Sequence, residues 1–217
     1  MATGAEIIEF FHGCIDNDSL DSDLELSLMN ICKGKIEAER EWEFLKKLDS
    51  SNSASSSPIA LPTDCEVPLL IYVGDDRVPF YPVPYEQKLL FQNGGRYFII
   101  DQGAGTFQFL DPSVSGTVYL YYLKSTPDIT TSTSPVFPNK FHWILAYDMA
   151  KLFYSMDQSE RQFTWGPELD MERRTLFNLM CDWDEKIKVR ARENGFNRMD
   201  LSQGLSTDKY GFDISQL

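Results

Sequence analysis

The run Thr117-Val118-Tyr119-Leu120-Tyr121-Tyr122-Leu123 has the alternating pattern of a β-strand. Its even-numbered side chains would face one way and its odd-numbered side chains the other, and both sets are rich in Val, Leu and Tyr. A strand with two apolar faces is typically covered on both sides or lies in an interface. The run therefore predicts a strand inside a larger β structure.

Four upstream runs have the same character, because Pro, Gly and aromatic residues interrupt segments rich in Val, Ile, Tyr and Phe. They are Val67–Val73, Arg77–Phe80, Arg96–Asp101 and Thr106–Leu110. The turns Asn93-Gly94-Gly95 and Gly103-Ala104-Gly105 can adopt the positive φ angles that tight hairpins require. Proline cannot donate to a strand ladder, so prolines 68, 79 and 82 predict that the early strands lie at sheet edges.

Helical periodicity is found on both sides of these strands. A short helix is predicted over Ala5–Ile15, and a longer one from a capping box at Ser22 and Glu25 to about Leu48. The longer helix would carry one stripe of side chains, made of Leu24, Leu28, Ile31, Lys35, Ala38, Trp42 and Leu45. A third helix is predicted over Phe141–Met156 and a fourth over Glu168–Asn194, with Gly195 as its stop.

Neither helical half can bury its stripe alone, so the two halves are expected to meet in space. The predicted fold class is α+β: an antiparallel helical bundle from the N- and C-terminal helices, an inserted antiparallel β module and an extended C-terminal tail. The predicted division is N-terminal helices 1–49, serine-rich linker 50–60, β module 61–126, connection 127–140, C-terminal helices 141–195 and tail 196–217.

The composition is that of a folded soluble protein, with 42% hydrophobic and 24% charged residues. The net charge of -13 disfavours a protein that grips nucleic acid, because such proteins present dense Lys/Arg faces to the phosphates. The amino terminus lacks a basic segment followed by a long apolar run, so neither secretion nor a membrane span is expected. The four scattered cysteines predict reduced thiols rather than a disulfide framework.

The sequence predicts no catalytic residue, no cofactor and no metal ligand. Neither His12 nor His142 has a nucleophile in a recognisable setting, and both are interpreted as structural. The acidic run 16–23 fails as a calcium loop, because Leu20 and Asp21 occupy positions that need an oxygen ligand and a glycine. Carboxylate pairs of the glycosidase type are conceivable among Glu66, Asp75, Asp76 and Asp101, but the sequence gives no separation between them.

The last 22 residues have no helical or strand period, yet they carry scattered apolar side chains among Gly, Ser, Asp and Gln. Such a segment is expected to become ordered on a partner. Its predicted partner-binding residues are Phe196, Met199, Leu201, Leu205, Tyr210, Phe212, Ile214 and Leu217.

Several landmarks follow one another in a characteristic order: Glu39-Arg40-Glu41-Trp42-Glu43-Phe44-Leu45, Leu61-Pro62-Thr63-Asp64, Arg96-Tyr97-Phe98-Ile99-Ile100, Thr117 to Tyr122, and Pro135 to Leu145. This order resembles the head-to-tail adaptor proteins of tailed double-stranded DNA bacteriophages, also called head-completion or connector proteins. The resemblance extends over about Ala5 to Arg192. The tail after Gly195 has no counterpart in it.

The resemblance implies a non-enzymatic structural protein of the virion, made in the host cytoplasm. Copies would form a homo-oligomeric ring, typically dodecameric, that docks on the portal protein and connects the capsid to the tail or the next neck protein. DNA would pass through the channel without sequence-specific binding, and the C-terminal tail would contact the portal. Two alternatives stay open: a carbohydrate-binding or hydrolytic virion module that uses the aromatic β segment, and a small regulator in the cytosol.

Overall fold

The computed structural model describes residues 1–16, 20–54, 58–74, 79–91, 95–157 and 162–198. The helices are α1 (Gly4–Ile15), α2 (Ser22–Ala38), α3 (Trp143–Asp157) and α4 (Gln162–Arg198). The strands are β1 (Lys46–Asp49), β2 (Ser53–Ala54), β3 (Ile59–Ala60), β4 (Cys65–Val73), β5 (Pro79–Pro82), β6 (Tyr97–Asp101), β7 (Thr106–Phe109) and β8 (Gly116–Lys124). Short 3-10 helices cover Glu43–Leu45, Tyr85–Leu90 and Asn139–Phe141. Among the described helices, none combines the length and the apolar character that a membrane span requires.

The predicted fold class, a helical bundle with an inserted antiparallel β module, is wrong. The eight strands form one curled sheet in the order β1-β8-β4-β5-β6-β7-β3, with β2 also paired to β8. The sheet is mixed, because β5 and β6 run parallel. It is also not an insert, since β1 precedes the serine-rich stretch and pairs with β8 from Lys46–Leu123 to Asp49–Leu120. The N-terminal part of the chain therefore supplies both helices and sheet.

The prediction that the early strands lie at edges also fails. Strand β4, which contains Pro68, lies inside the sheet between β8 and β5. The ladder between β4 and β8 shifts register between Pro68 and Leu70, so the proline falls beside an irregularity of the ladder. Such irregularities are places where a proline is tolerated within a sheet. The turn Gly103-Ala104-Gly105 joins β6 to β7 as predicted, with Gly105 at a φ of +62°.

The second helix differs from its prediction at both ends. Its N-cap is Asp21, whose carboxylate accepts from the backbone N–H of Asp23, and the predicted partner Glu25 contacts His12 instead. The helix ends at Ala38 rather than Leu48. Of the predicted stripe, Leu28 is buried but Leu24 and Ile31 are exposed, and the buried face also includes Met29, Cys32 and Ile36, which were not predicted. The fourth helix continues through Gly195 to Arg198.

Two main cores are formed. The helical core contains side chains of α1, α2 and α3 together with Trp42, Leu45, Ile129 and Met180. The sheet core lies inside the curled sheet and contains Ala54, Ile59, Ile71, Phe80, Phe98, Phe107, Phe109, Val118, Leu120 and Tyr122. The even-numbered face of β8 thus points into the sheet core, as its alternation predicted. Leu123 packs against the helical core and joins the two.

Residues 125–138, the connecting strap, hold the first two helices in place. The Asn30 side chain on α2 donates to the backbone carbonyl of Ile129 at 3.0 Å and accepts from its N–H at 2.8 Å. The buried Lys33 ammonium donates to the Thr126 and Pro127 carbonyls at 3.2 and 2.8 Å. Buried polar side chains are rarely tolerated without such partners, so these contacts fix the strap against α2.

The replacement Gly4→Ala is expected to destabilise the protein by about 1–3 kcal/mol, because a Cβ at this position would clash with the backbone oxygen of Thr130 in the strap. The matched control is Gly34→Ala within α2, where the added Cβ would meet no atom within 4 Å apart from its chain neighbours and the adjacent backbone of its own helix. That change should stabilise by about 0.5–1 kcal/mol, since alanine loses less backbone entropy in a helix. Urea unfolding measures both, and equal effects at the two sites would refute the close approach of α1 to the strap.

Candidate interaction surfaces

The two histidines are bound within the fold. His12 Nε2 on α1 lies 2.5 Å from a carboxylate oxygen of Glu25 on α2. His142 is buried, and its ring nitrogens lie 3.1 and 2.8 Å from the backbone carbonyl oxygens of Ala2 and Phe137. Burial lowers the pKa of His142 despite these two carbonyls, which favour the protonated ring. Both histidines connect segments of the helical core.

Three of the four cysteines lack the features of reactive thiols. Burial raises the pKa of Cys14 and Cys65 to about 11 and that of Cys32 to about 12, so the thiolate is strongly disfavoured. All four cysteines are unpaired. Within the described ranges, no group of three or more His, Cys, Asp or Glu side chains is arranged to hold a metal ion.

The predicted partner-binding tail lies almost entirely outside the described residues. Phe196 falls within the backbone range of α4. The remaining seven residues, Met199, Leu201, Leu205, Tyr210, Phe212, Ile214 and Leu217, are beyond it. Their role stays a prediction.

The aromatic β segment divides into a buried and an exposed set. Phe80, Phe98, Phe107, Phe109 and Tyr122 belong to the sheet core. On the opposite face of the sheet, Tyr72 and Tyr121 meet edge to face with centroids 5.9 Å apart, and Tyr81 is 57% exposed. The five buried aromatic side chains are therefore explained by packing within the sheet core.

A second exposed surface lies between β5 and β6, on the 3-10 helix Tyr85–Leu90. Leu89 and Leu90 are 78% and 80% exposed, and neither belongs to a core cluster of the described residues. Adjacent, strongly exposed leucines are an unfavourable surface for an isolated subunit. They are favourable where a partner covers them.

Among the described residues, a groove of about 1140 Å³ lies between α1, α3 and the first half of α4. Three aromatic rings line it: Phe10 lies 4.8 Å from Trp143 and 5.6 Å from Tyr147, measured between ring centroids. The exposed side chain of Met171 adds further apolar surface. We call this feature the aromatic groove.

Carboxylates surround the aromatic groove. Glu9, Glu168 and Glu172 line it, are exposed, and form no ion pair with a described residue. The groove also contains Lys140, whose ammonium lies 4.8 Å from the Phe141 ring centroid. Burial together with the Glu172 charge raises the pKa of Tyr147, so its phenol stays protonated. An aromatic surface with an excess of carboxylates favours a ligand that is both apolar and cationic.

The helix that forms one wall of this groove is attached to the body by two charged side chains. Arg173 on α4 donates to Asp148 on α3 at 2.9 Å and to Glu39 at the end of α2 at 3.0 Å. Asp184 is fully buried and lies 2.8 Å from both the Glu43 backbone nitrogen and the Lys188 ammonium. These contacts fix the position of α4 relative to the other helices.

Beyond Asp184, the outer end of α4 presents a different surface. A shallow depression on this part of the helix is lined by Asp182, Glu185, Lys186, Val189 and Arg190. Val189 is 46% exposed, and the two basic side chains are exposed without an ion pair to any described residue. The depression therefore carries two acidic and two basic side chains.

Neither surface was predicted from the sequence. The groove is assembled from helices more than 100 positions apart, so no local pattern marks it. One signal was available: Phe10 lies off the apolar stripe of α1, and an aromatic residue outside the core face requires another partner. The Lys186-x-x-Val189-Arg190 spacing was also visible, but it resembles any solvated helical face.

The comparison with protein families gives one result, a match of the SU10 adaptor protein family to residues 17–181, which are 165 of the 217 residues. The matched range extends from the α1–α2 connection to Cys181 on α4. No match is found among curated proteins. The resemblance to phage head-to-tail adaptors, which the order of the sequence landmarks predicted, is confirmed.

Proposed function

Because this chain belongs to the SU10 adaptor protein family, and is thus a structural adaptor of a phage particle, we propose that its copies form a ring docked on the portal protein. The ring, with twelve copies as the expected number, connects the capsid to the tail or the next neck protein. The observation that carries the proposal is the family match, which includes most of the described fold.

Two exposed surfaces support a role in assembly. The Leu89 and Leu90 side chains offer an apolar contact on the sheet side of the subunit, and the aromatic groove offers another on the helical side. A subunit between two neighbours of different kinds requires at least two such surfaces. We assign the Leu89–Leu90 surface to the tail or next neck protein.

The portal contact is assigned to the C-terminal tail, from Phe196 to Leu217. Its scattered apolar side chains, separated by Gly, Ser and Asp, suit a segment that binds along a partner's surface. The net charge of -13 suits a ring through which DNA passes without being held, since carboxylates repel phosphates.

Deletion of Ser202–Leu217 is expected to abolish binding to the portal protein of the same phage while leaving the melting temperature nearly unchanged. Native mass spectrometry and negative-stain microscopy of the mixture measure binding, and thermal unfolding measures stability. The matched control is the double replacement Leu89→Ser and Leu90→Ser, which also removes exposed apolar side chains. The control should keep portal binding.

Three results would contradict this assignment. A full-length chain that stays monomeric and never joins the portal would refute the ring proposal. A truncated chain that unfolds would place the tail within the core of the subunit. Binding of glycans that is lost on Tyr121→Ala would favour the carbohydrate-binding alternative, since Tyr121 belongs to the exposed aromatic set.

A further inference from the structure

The aromatic groove has the size of a site for a polypeptide segment. Its volume is about 1140 Å³, whereas sites for small molecules usually enclose about 300–1,000 Å³. Three helices, α1, α3 and the first half of α4, supply its walls. An occupant that fills the groove is therefore larger than one small molecule and consists of several residues.

The apolar part of the groove gives the first requirement for this occupant. The Phe10 ring is tilted against Trp143 and meets Tyr147 edge to face, so the three rings form one continuous aromatic surface. Phe10 and Met171 are exposed although both contribute to this surface. Aromatic and Met side chains that are gathered in one open groove are typical of a protein contact, in which a partner covers them.

Charge gives the second requirement. Four carboxylates and two cations line the groove, namely Glu6, Glu9, Glu168 and Glu172 against Lys140 and the α-amino group of Met1. The Glu6 carboxylate accepts a hydrogen bond from the Thr3 N–H at 2.8 Å. The Lys140 ammonium lies 4.8 and 5.9 Å from the ring centroids of Phe141 and Trp183, so it is already placed against two rings. The remaining carboxylates give the groove an excess of negative charge, which a cationic occupant would neutralise.

Charge argues against a second copy of this chain as the occupant. The exposed bases on the outer part of α4, Lys186 and Arg190, share their depression with Asp182 and Glu185, so that surface is electrically balanced. Each copy also carries a net charge of -13, which opposes the approach of another copy to an acidic groove. A different protein is therefore the better source of a cationic segment.

We propose that the aromatic groove binds a segment of another protein of the phage particle, in which a Lys or Arg stands next to an aromatic or aliphatic residue. The apolar side chain contacts the three rings, and the cation lies between these rings and the carboxylates of Glu168 and Glu172, which share one face of α4. There the cation gains both quadrupole attraction and an ion pair. This assignment rests on the proposed function, since it names the chemistry of one partner of the adaptor.

The test presents short overlapping peptides from the portal, neck and tail proteins of the same phage to the full-length chain. Calorimetric titration measures the affinity of each peptide that binds. The bound peptides should carry a Lys or Arg beside an apolar residue. Replacing that cation with Gln should weaken binding by about tenfold, because the cation–π and ion-pair contributions are lost together.

Two variants of the full-length chain locate the binding site. The charge variant carries Glu168→Gln and Glu172→Gln, and the ring variant carries Phe10→Ser. Each should bind the same peptide about tenfold more weakly, since each removes one of the two attractions. Added salt should weaken binding to the unchanged chain more than binding to the charge variant, because salt screens exposed carboxylates.

The matched control carries Glu41→Gln and Glu86→Gln. Both side chains are exposed, lie outside the groove and form no ion pair with a described residue, and their replacement changes the net charge by the same amount as the charge variant. The control should bind the peptide like the unchanged chain. Equal weakening in the control and the charge variant would mean that only the overall charge attracts the peptide. Circular dichroism verifies that each variant is folded.

The remaining outcomes separate this assignment from the proposed function. If no peptide binds, or if binding is the same in both groove variants, the groove is not the site and the assignment is wrong. Tighter binding of peptides from this chain would make a second copy the occupant, and equally tight binding of spermidine would make it a small amine. Rings that assemble on the portal in any of these cases leave the proposed function intact. A chain that neither forms rings nor joins the portal refutes that function, whatever the peptides do.

Discussion

The replacement Asp184→Ala is expected to lower the free energy of unfolding by about 3–5 kcal/mol, because it removes one side of a buried charge cluster. The Asp184 carboxylate accepts a hydrogen bond from the Glu43 N–H at 2.8 Å, and lies 2.8 Å from the Lys188 ammonium and 3.3 Å from the Arg40 guanidinium. Alanine would leave the Glu43 amide facing a cavity without its acceptor, and Arg40 and Lys188 would keep only the exposed Glu185 carboxylate. Urea unfolding followed by circular dichroism measures the loss.

The neighbouring residue provides the control. Glu185 also contacts Arg40, but its side chain is 55% exposed, so water and salt screen the interaction. The change Glu185→Ala should cost about 0–1 kcal/mol. Similar losses of stability at positions 184 and 185 would mean that the loss of an Arg40 ion pair explains both. Burial of the Asp184 carboxylate would then not be what attaches α4 to the body.

Such a residue cannot be found in the sequence. The chain has 33 Asp and Glu residues, and nothing in the local pattern distinguishes Asp184 from Asp182 two positions earlier. Its importance comes from Glu43, which is 141 residues away and reaches it only after the chain has folded. The aromatic groove escaped prediction for the same reason, since Phe10 and Trp143 are joined by tertiary contacts.

Local sequence patterns correctly predicted the elements that have a strong helical or strand period. The even-numbered face of β8, the turn at Gly105 and the positions of α1 and α3 follow from residue alternation, turn chemistry and helical spacing. Strands β1, β2 and β3 were not predicted, because segments of two to four residues have too few positions to establish a period. Their identity depends on long-range pairing with β7 and β8.

The error that altered the fold class lies at Trp42. Its spacing from Leu28 and Ala38 continues the helical stripe, so the helix was predicted to extend to Leu48. In the structure, the indole Nε1 donates at 2.7 Å to the Ile36 carbonyl. A continuing helix would use that carbonyl for the N–H of residue 40. The side chain thus replaces a backbone hydrogen bond, and the residues that follow are free to form β1.

The replacement Trp42→Ala is therefore expected to cost about 3–5 kcal/mol, combining the cavity left by a fully buried ring with the loss of this helix stop. The ring stacks on Phe44 at 5.6 Å and meets Phe177 of α4 edge to face at 5.8 Å, so its removal affects two contacts of the helical core. Urea unfolding measures the cost. Trp42→Phe separates the contributions, because it keeps an aromatic ring and removes the hydrogen bond, worth about 0.5–1.5 kcal/mol.

Amide hydrogen exchange provides the second measurement for Trp42→Ala. Loss of the helix stop should expose the amides of Lys46–Asp49 to exchange, since β1 is short and depends on the chain leaving the helix at Ala38. If these amides keep their protection while stability falls, Trp42 fills space and the end of α2 is determined elsewhere. If neither the stability nor the protection of these amides changes, the end of α2 and the attachment of β1 to β8 do not depend on this side chain.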